Sequence, residues 1–267
     1  VRRLLVLIAL SSTAYAGRPS NPAFLGIGME DARTRMNLDG CWVDSVTPSS
    51  GADAAGLRVG DVIQALDGTP AASCMQLSEQ IIGHAPGDLV HLDVWRLGER
   101  HTLRAQLSSR AEILHRRFVN KPFDVQGAID ATDGRDVDSG EWRGGTTIVV
   151  WFDIHHCGGC AGLVQRLADA VRAPRRGTAP RMIAATFGAL DDLRQRGALS
   201  LGVPLVIVDP QQYEQAATSD TDRVFVMVLD GRGIVRFVTP IAYDDEAVDG
   251  TLDEVVAAAE QAEHRRK

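Results

Sequence analysis

Residues 146–171 read TTIVVWFDIHHCGGCAGLVQRLADAV, and they constrain the fold more than any other stretch of the 267-residue chain. The run TTIVVWF is a strongly apolar strand. A helical period follows it, with Leu163, Leu167 and Val171 at i, i+4 and i+8 on one face. A strand feeding directly into a helix builds an α/β sheet rather than a sandwich. The rest of residues 123–264 continues the alternation: RMIAATF as strand, ALDDLRQRGAL as helix, PLVIVD as strand and a short helical piece at QQYEQAA. Strands RVFVMVLD and GIVRFVTP, joined by Gly231-Arg232-Gly233, and a closing helix TLDEVVAAAEQAEH complete it.

The corner between strand and helix holds HHCGGC, and position gives these residues their chemistry. A sulfur at the start of a helix faces unpaired N–H groups and the positive end of the helix dipole. Cys157 is therefore favoured as thiolate, with a pKa in the range of about 3.5 to 7.5 known for such settings. Cys160 follows at nearly one helical turn, near enough to close a compact disulfide. His156, when protonated, adds positive charge beside Cys157. The same residues admit a metal reading, because two thiolates with His155 or His156 suit zinc or copper(I). Asp153 reads either as a proton acceptor near the cysteines or as a polar strand end.

Residues 22–108 have a different rhythm. Short β-type runs, FLGIGM, CWVDSV, GDVIQALDG, LVHLDVWRLG and HTLRAQL, alternate with turns. One helical stretch, SCMQLSEQIIGH, offers Met75, Leu77, Ile81 and Ile82 as apolar contacts. A small, mostly β domain is expected. Cys41 falls on a strand and Cys74 at a helix start; a disulfide between them and two buried thiols both remain open. Residues 109–122, SRAEILHRRFVNKP, are polar and basic and read as a linker.

The segment SVTPSSGADAAGLRVGDVIQALDGTPAAS, followed by APGDLVHLDVWRLGE, resembles the PDZ domain in the arrangement of bacterial exported HtrA-type proteases. Gly51, the run Ala54-Ala55-Gly56-Leu57, Gly60-Asp61-Val62-Ile63 and Gly68 fall in that family's order. The resemblance implies a carboxylate-binding loop at Phe24-Leu25-Gly26-Ile27. A peptide would add there as an extra strand, its terminal carboxylate held by backbone N–H groups. No Ser/His/Asp constellation of a protease accompanies the domain.

Residues 123–264 resemble the thioredoxin superfamily, in particular the exported TlpA-like oxidoreductases and the redoxins. TIVVWFDIHHCGGC corresponds to the strand and redox motif, PLVIVDPQQYEQAA to an inserted strand and helix, and RVFVMVLDGRGIVRF to the terminal hairpin. That likeness implies Cys157 as nucleophile and Cys160 as resolving cysteine, joined in a disulfide when oxidised. The chain has Val224, preceded by Arg223, where the superfamily carries its cis-proline, and Gly158-Gly159 between the cysteines. These departures strengthen the metal alternative. The neighbouring peroxiredoxins are similar in Arg223 but have threonine where this chain has Ile154.

Residues 1–16 have the layout of an export signal: Arg2 and Arg3, an apolar run from Leu4 to Leu10, and Ala14-Tyr15-Ala16 for cleavage. Seven apolar residues fall well short of the roughly twenty that span a bilayer as a helix. A net charge of -7 with pI near 5.5 excludes general attraction to nucleic acid or anionic lipid. The expectation is therefore two domains, a mostly-β PDZ-like one at 22–108 and an α/β thioredoxin-like one at 123–264. The resemblances imply a bacterial protein, periplasmic or secreted, that exchanges thiols and disulfides with peptide or protein partners, with no cofactor and no membrane span expected in the mature chain. The alternatives are metal handling at HHCGGC and a non-catalytic binding protein.

Overall fold

The computed structural model describes residues 22–153, 155, 158–172, 179–195, 201–210, 223–242 and 248–264. The expected export signal, the short helical piece at 211–217, and Ile154, His156 and Cys157 lie outside the described residues.

The first sheet is antiparallel throughout. Its elements are β1 (Ile27–Asp31), a single turn α1 (Arg33–Met36), β2 (Cys41–Val46), a second short turn α2 (Gly51–Ala54), β3 (Val62–Leu66) and β4 (Thr69–Pro70). After these come α3 (Cys74–Ile82), β5 (Leu89–Arg96) and β6 (Glu99–Gln106). The strands lie in the order β1-β2-β3-β5-β6, with β4 paired to β3. Alternate residues of β5, Val90, Leu92 and Val94, point inward and meet Ile27, Val43, Ile63, Leu77 and Ile81 in one core. Leu77 and Ile81 turn one face of α3 to that core. Met75, expected from sequence as an apolar contact, is instead 69% exposed. Once Leu77 and Ile81 set the inward face, the helical period turns residue 75 to solvent.

A helix, α4 (Arg110–Phe118), occupies the segment read as linker. Ser109 accepts from the Glu112 N–H while the Glu112 carboxylate accepts from the Ser109 N–H, a complete capping box. Ile113 and Leu114 are fully buried. The sequence reading missed this helix because its polar surface dominates the composition, and one apolar pair is too short to show a period.

The second sheet is mixed. It takes β7 (Ala128–Asp130), β8 (Asp136–Val137), β9 (Thr147–Phe152), β10 (Arg181–Thr186), β11 (Leu205–Ile207), β12 (Arg223–Leu229) and β13 (Val235–Ala242), in the order β13-β12-β9-β10-β11-β7-β8. β9, β10 and β11 run parallel, whereas the β12–β13 hairpin is antiparallel to β9. The helices are α5 (Cys160–Arg172), α6 (Leu190–Gln195) and α7 (Val248–His264).

All six residues of β9 are buried, because both faces of the sheet are covered. Ile148, Val150 and Phe152 pack with Leu163, Val164 and Leu167 of α5 and with Leu252 and Val255 of α7. Val149 and Trp151 face the other way, into a core with Phe225, Met227, Trp142 and Leu114 of α4. α4 is thus part of the second domain's core. Behind it, residues 120–123 are laced to the β12–β13 turn: Asn120 N–H donates to the Val235 carbonyl, Val235 N–H to Lys121, and Phe123 N–H to Gly233. The turn is organised by buried Asp230. Burial alone raises its carboxyl, but donation from Arg232 N–H, Ile234 N–H and the Arg236 guanidinium outweighs that and holds it below the usual carboxylate range.

Because Leu114 fills the second core from a helix outside it in sequence, Leu114→Ala is expected to cost the second domain about 2–5 kcal/mol. Denaturant unfolding followed by Trp fluorescence checks this; an unchanged midpoint would place α4 outside that core.

Candidate functional site

Two places in the fold bring chemistry-bearing groups together. The first is the edge of the antiparallel sheet. β1 pairs only with β2 among the described residues, so its other side is open. The loop entering β1 is shaped by where its carbonyls go. The Leu25 carbonyl accepts from Ala52 N–H in the first turn of α2 (3.0 Å), and the Gly26 carbonyl from Thr47 N–H (2.9 Å). The N–H groups of Leu25 and Gly26 donate to no acceptor among the described residues.

Gly26 has φ +92°, and a Cβ there would lie 2.1 Å from the Cβ of Ser50. Only glycine fits, on both counts. A positive φ between residues of ordinary conformation lets consecutive N–H groups converge on one anion. With Gly26 bonded to Thr47, the antiparallel alternation turns the N–H and C=O of the next residue, Ile27, toward the open edge. The structure thus brings Leu25, Gly26 and Ile27 together as a cradle of backbone groups. Phe24 stands at its entrance, its backbone paired with Ser108.

α3 lies alongside β1. Leu25, Ile27 and Ile81 are buried beside half-buried Ile82 and Met29, which makes the floor between strand and helix apolar. The far end is fixed covalently by the disulfide Cys41–Cys74, which closes the pairing left open by sequence. It joins β2 to the first residue of α3, and the Asp31 carboxylate at the end of β1 accepts from the Cys74 N–H at 2.6 Å. One wall of the groove is thereby stapled to its floor.

The second place is the end of β9. Asp153, 4% exposed, accepts the His155 N–H at 2.8 Å. The His155 imidazole is held from two sides: Nδ1 lies 3.1 Å from the Asp192 carboxylate at the start of α6, and Nε2 lies 3.2 Å from the Phe187 carbonyl. Both neighbours are acceptors, and the doubly protonated ring can donate to both. Gly188 passes so close that a Cβ there would meet Nε2 at 2.5 Å. Cys160 is the first residue of α5, has no solvent exposure and is engaged in a disulfide. Val224 pairs with Phe152, so Arg223 stands level with Asp153 across the sheet.

His156 and Cys157, singled out from sequence, lie outside the described residues. Of the four residues of the metal alternative, His155 and Cys160 are described: His155 presents its ring nitrogens to Asp192 and Phe187, and Cys160 is disulfide-bonded. No group of three or more metal-ligating side chains occurs among the described residues. Sequence reasoning had no signal for Asp192 or Phe187, which reach His155 only through the crossover connection after β10.

Residues 23–107 match the family described as PDZ domain. The same region carries the similarity to curated proteins. A probable periplasmic serine endoprotease DegP-like of Bartonella henselae is 28% identical over 107 residues, 40% of this chain and 20% of the relative. The periplasmic pH-dependent serine endoprotease DegQ of Escherichia coli is 38% identical over 72 residues, 26% of this chain and 16% of the relative. The chain therefore spans a fifth or less of the length of these relatives. Among solved structures, an HtrA-type protease AlgW with decapeptide is 25% identical, covering 34% of this chain and 30% of that one at a TM-score of 0.32. The antiparallel domain is a PDZ domain related to those of the HtrA proteases. The second domain is a mixed α/β sheet with helices.

Replacing the staple with Cys41→Ala and Cys74→Ala together is expected to cost the PDZ domain about 2–4 kcal/mol, in line with the loop the disulfide closes. Urea unfolding of the oxidised protein and the double variant measures the difference, and equal midpoints would show that the crosslink contributes nothing.

Proposed function

We propose that the protein is an exported thiol–disulfide oxidoreductase whose PDZ domain recruits peptide or protein substrates by their C-termini. The observation that carries the redox half is Cys160, buried at the first turn of α5 and engaged in a disulfide where an apolar strand meets a helix. A purely structural crosslink has no need of that corner, whereas a reactive thiolate does. The sheet order supports a thioredoxin-like assignment: β9 leads to the cysteines, a parallel neighbour follows α5, and an antiparallel hairpin flanks the other side. Export agrees with the Cys41–Cys74 disulfide and with the periplasmic naming of the two relatives.

In the reductive direction, the Cys157 thiolate attacks one sulfur of a substrate disulfide. An S–S bond forms between protein and substrate, and the other substrate sulfur leaves as thiolate. Cys160, as thiolate, then attacks the Cys157 sulfur, closing the protein disulfide and releasing the second substrate thiol. Two electrons pass from the protein to the substrate, and the reverse sequence oxidises a substrate dithiol. In this reading His155 and Asp153 serve at the corner as charge and proton partners, and His156, adjacent to Cys157 in sequence, adds a second imidazole. His155 is oriented by Asp192 and Phe187.

The groove half rests on the N–H groups of Leu25 and Gly26, which have no acceptor among the described residues, beside a strand edge that pairs with no other described strand. A peptide's last residue would seat its carboxylate on them, place an apolar side chain against Leu25, Ile27 and Ile81, and extend as a strand along β1.

Cys157→Ser is expected to abolish reduction of a disulfide-bonded peptide, and Cys160→Ser to accumulate a mixed disulfide visible on a non-reducing gel. Wild-type turnover in either variant rejects these roles. Gly26→Val, which drives a side chain into Ser50, is expected to remove detectable binding of a valine-terminated peptide by fluorescence anisotropy; wild-type affinity would move the site elsewhere.

A further inference from the structure

Gly28, one residue beyond Ile27 in β1, is a glycine for a different reason from Gly26. It has no positive φ, so backbone conformation does not require it. The space its side chain would take is filled instead: a Cβ there would collide with the Asp44 carboxylate and the Ser45 hydroxyl of β2. A bulge puts them there. The pairing steps from Gly28 with Ser45 to Met29 with Val43, so Asp44 is the extra residue of β2, and a bulge re-aims the side chain it carries.

Asp44 and Ser45 are exposed on the outer face of the sheet, whereas Ile27 and Val43 face the core. The Asp44 carboxylate accepts from the Ser45 hydroxyl at 3.0 Å and makes no ion pair among the described residues. Glu30, the next acid along that face of β1, is already matched, accepting from the Arg35 guanidinium at 2.6 Å and the Thr34 hydroxyl at 3.0 Å. The uncompensated charge over β1 is therefore that of Asp44.

A peptide strand on β1 brings one particular side chain to it. Ile27 turns its N–H and C=O to the open edge, so a peptide whose carboxylate sits on Leu25 and Gly26 sets its last residue opposite Ile27 and its penultimate residue opposite Gly28. Directly opposed residues of antiparallel strands carry their side chains on the same face, about 5 Å apart at Cβ. The last side chain meets the apolar floor. The penultimate one stands on the outer face, beside the gap that Gly28 leaves, where a lysine or arginine reaches the Asp44 carboxylate.

We propose that Asp44, aimed over Gly28 by the bulge in β2, selects peptides with a basic penultimate residue. This rests on the reading of the groove as a C-terminal peptide site and narrows its ligand class to chains ending in lysine or arginine followed by one apolar residue. An acidic penultimate residue meets like charge and is disfavoured.

The test uses the full chain and fluorescent peptides that end in valine with a free carboxylate and carry lysine, alanine or glutamate as penultimate residue. A fourth peptide has alanine there and lysine one residue earlier, where strand alternation turns the side chain to the floor. Affinities are measured by anisotropy at low and physiological salt for the wild type, Asp44→Asn and Asp44→Lys. The wild type is expected to bind the lysine peptide about tenfold more tightly than the glutamate peptide at low salt, as one exposed ion pair gained and one like-charge contact avoided allow, with a smaller ratio at physiological salt. Asp44→Asn lowers that ratio severalfold toward one, and Asp44→Lys inverts it. Because each chain is read as a ratio between peptides, a general loss of binding does not imitate the result. If Asp44→Lys does not fold in a thermal melt, Asp44→Asn, which keeps the size of the side chain, carries the comparison. A wild-type chain that binds the alanine peptide but does not distinguish lysine from glutamate overturns the role of Asp44. So does an Asn variant with the wild-type ratio, or an equal Asp44-dependent gain from the earlier lysine. A wild-type chain that binds none of the peptides overturns instead the C-terminal reading beneath it.

Discussion

The burial of β9 on both faces is the constraint from which the rest of the arrangement follows. A strand reading TIVVWF needs an apolar cover above and below the sheet, and α5 with α7 supply only one of them. The other cover includes Leu114, Trp142 and Val125, which pack on that face with Val149 and Trp151. Recruiting Leu114 fixes α4 against β13, and its arginines then project toward the PDZ loop. A packing requirement in the second domain thus brings Arg110 and Arg116 against Phe24, Ser49 and Ser108 of the first. The lacing of residues 120–123 to the Asp230 turn holds the far end of that helix.

The groove itself depends on backbone bookkeeping more than on side chains. Two carbonyls are tied back to Ala52 and Thr47, and the N–H groups of Leu25 and Gly26 have no acceptor among the described residues. Buried donors are nearly always satisfied in folded proteins, and in the proposed reading a peptide carboxylate satisfies this pair. Asp31 and the Cys41–Cys74 disulfide fix the first residue of α3 to β1 and β2.

Much of this was legible in the sequence. The strand series of the PDZ domain, the helix at 74–82, the β9–α5 corner and the closing hairpin and helix all stand where period and turn residues predict them. Gly26 was legible as part of a loop only through the resemblance to PDZ domains, since its own neighbourhood, FLGIGM, reads as a β-type run. The helix α4 was not, since its capping box is a local signal that a basic, proline-punctuated stretch obscured. Nor was the holding of His155 by Asp192 and Phe187, whose partners lie more than thirty residues away in sequence.

By itself the sequence determined most of the strands and helices, though not α4, and that a PDZ domain precedes an α/β domain with Cys160 opening the helix after its most apolar strand. Those features are written in local periodicity and short spacings. Only the tertiary structure decided that Cys41 bonds Cys74, that the Leu25 and Gly26 N–H groups find no acceptor among the described residues, and that Arg110 and Arg116 of α4 reach back to Phe24, Ser49 and Ser108. Each of these depends on contacts between segments far apart in the chain, and long-range pairing is set by how apolar faces find cover, which no local pattern encodes.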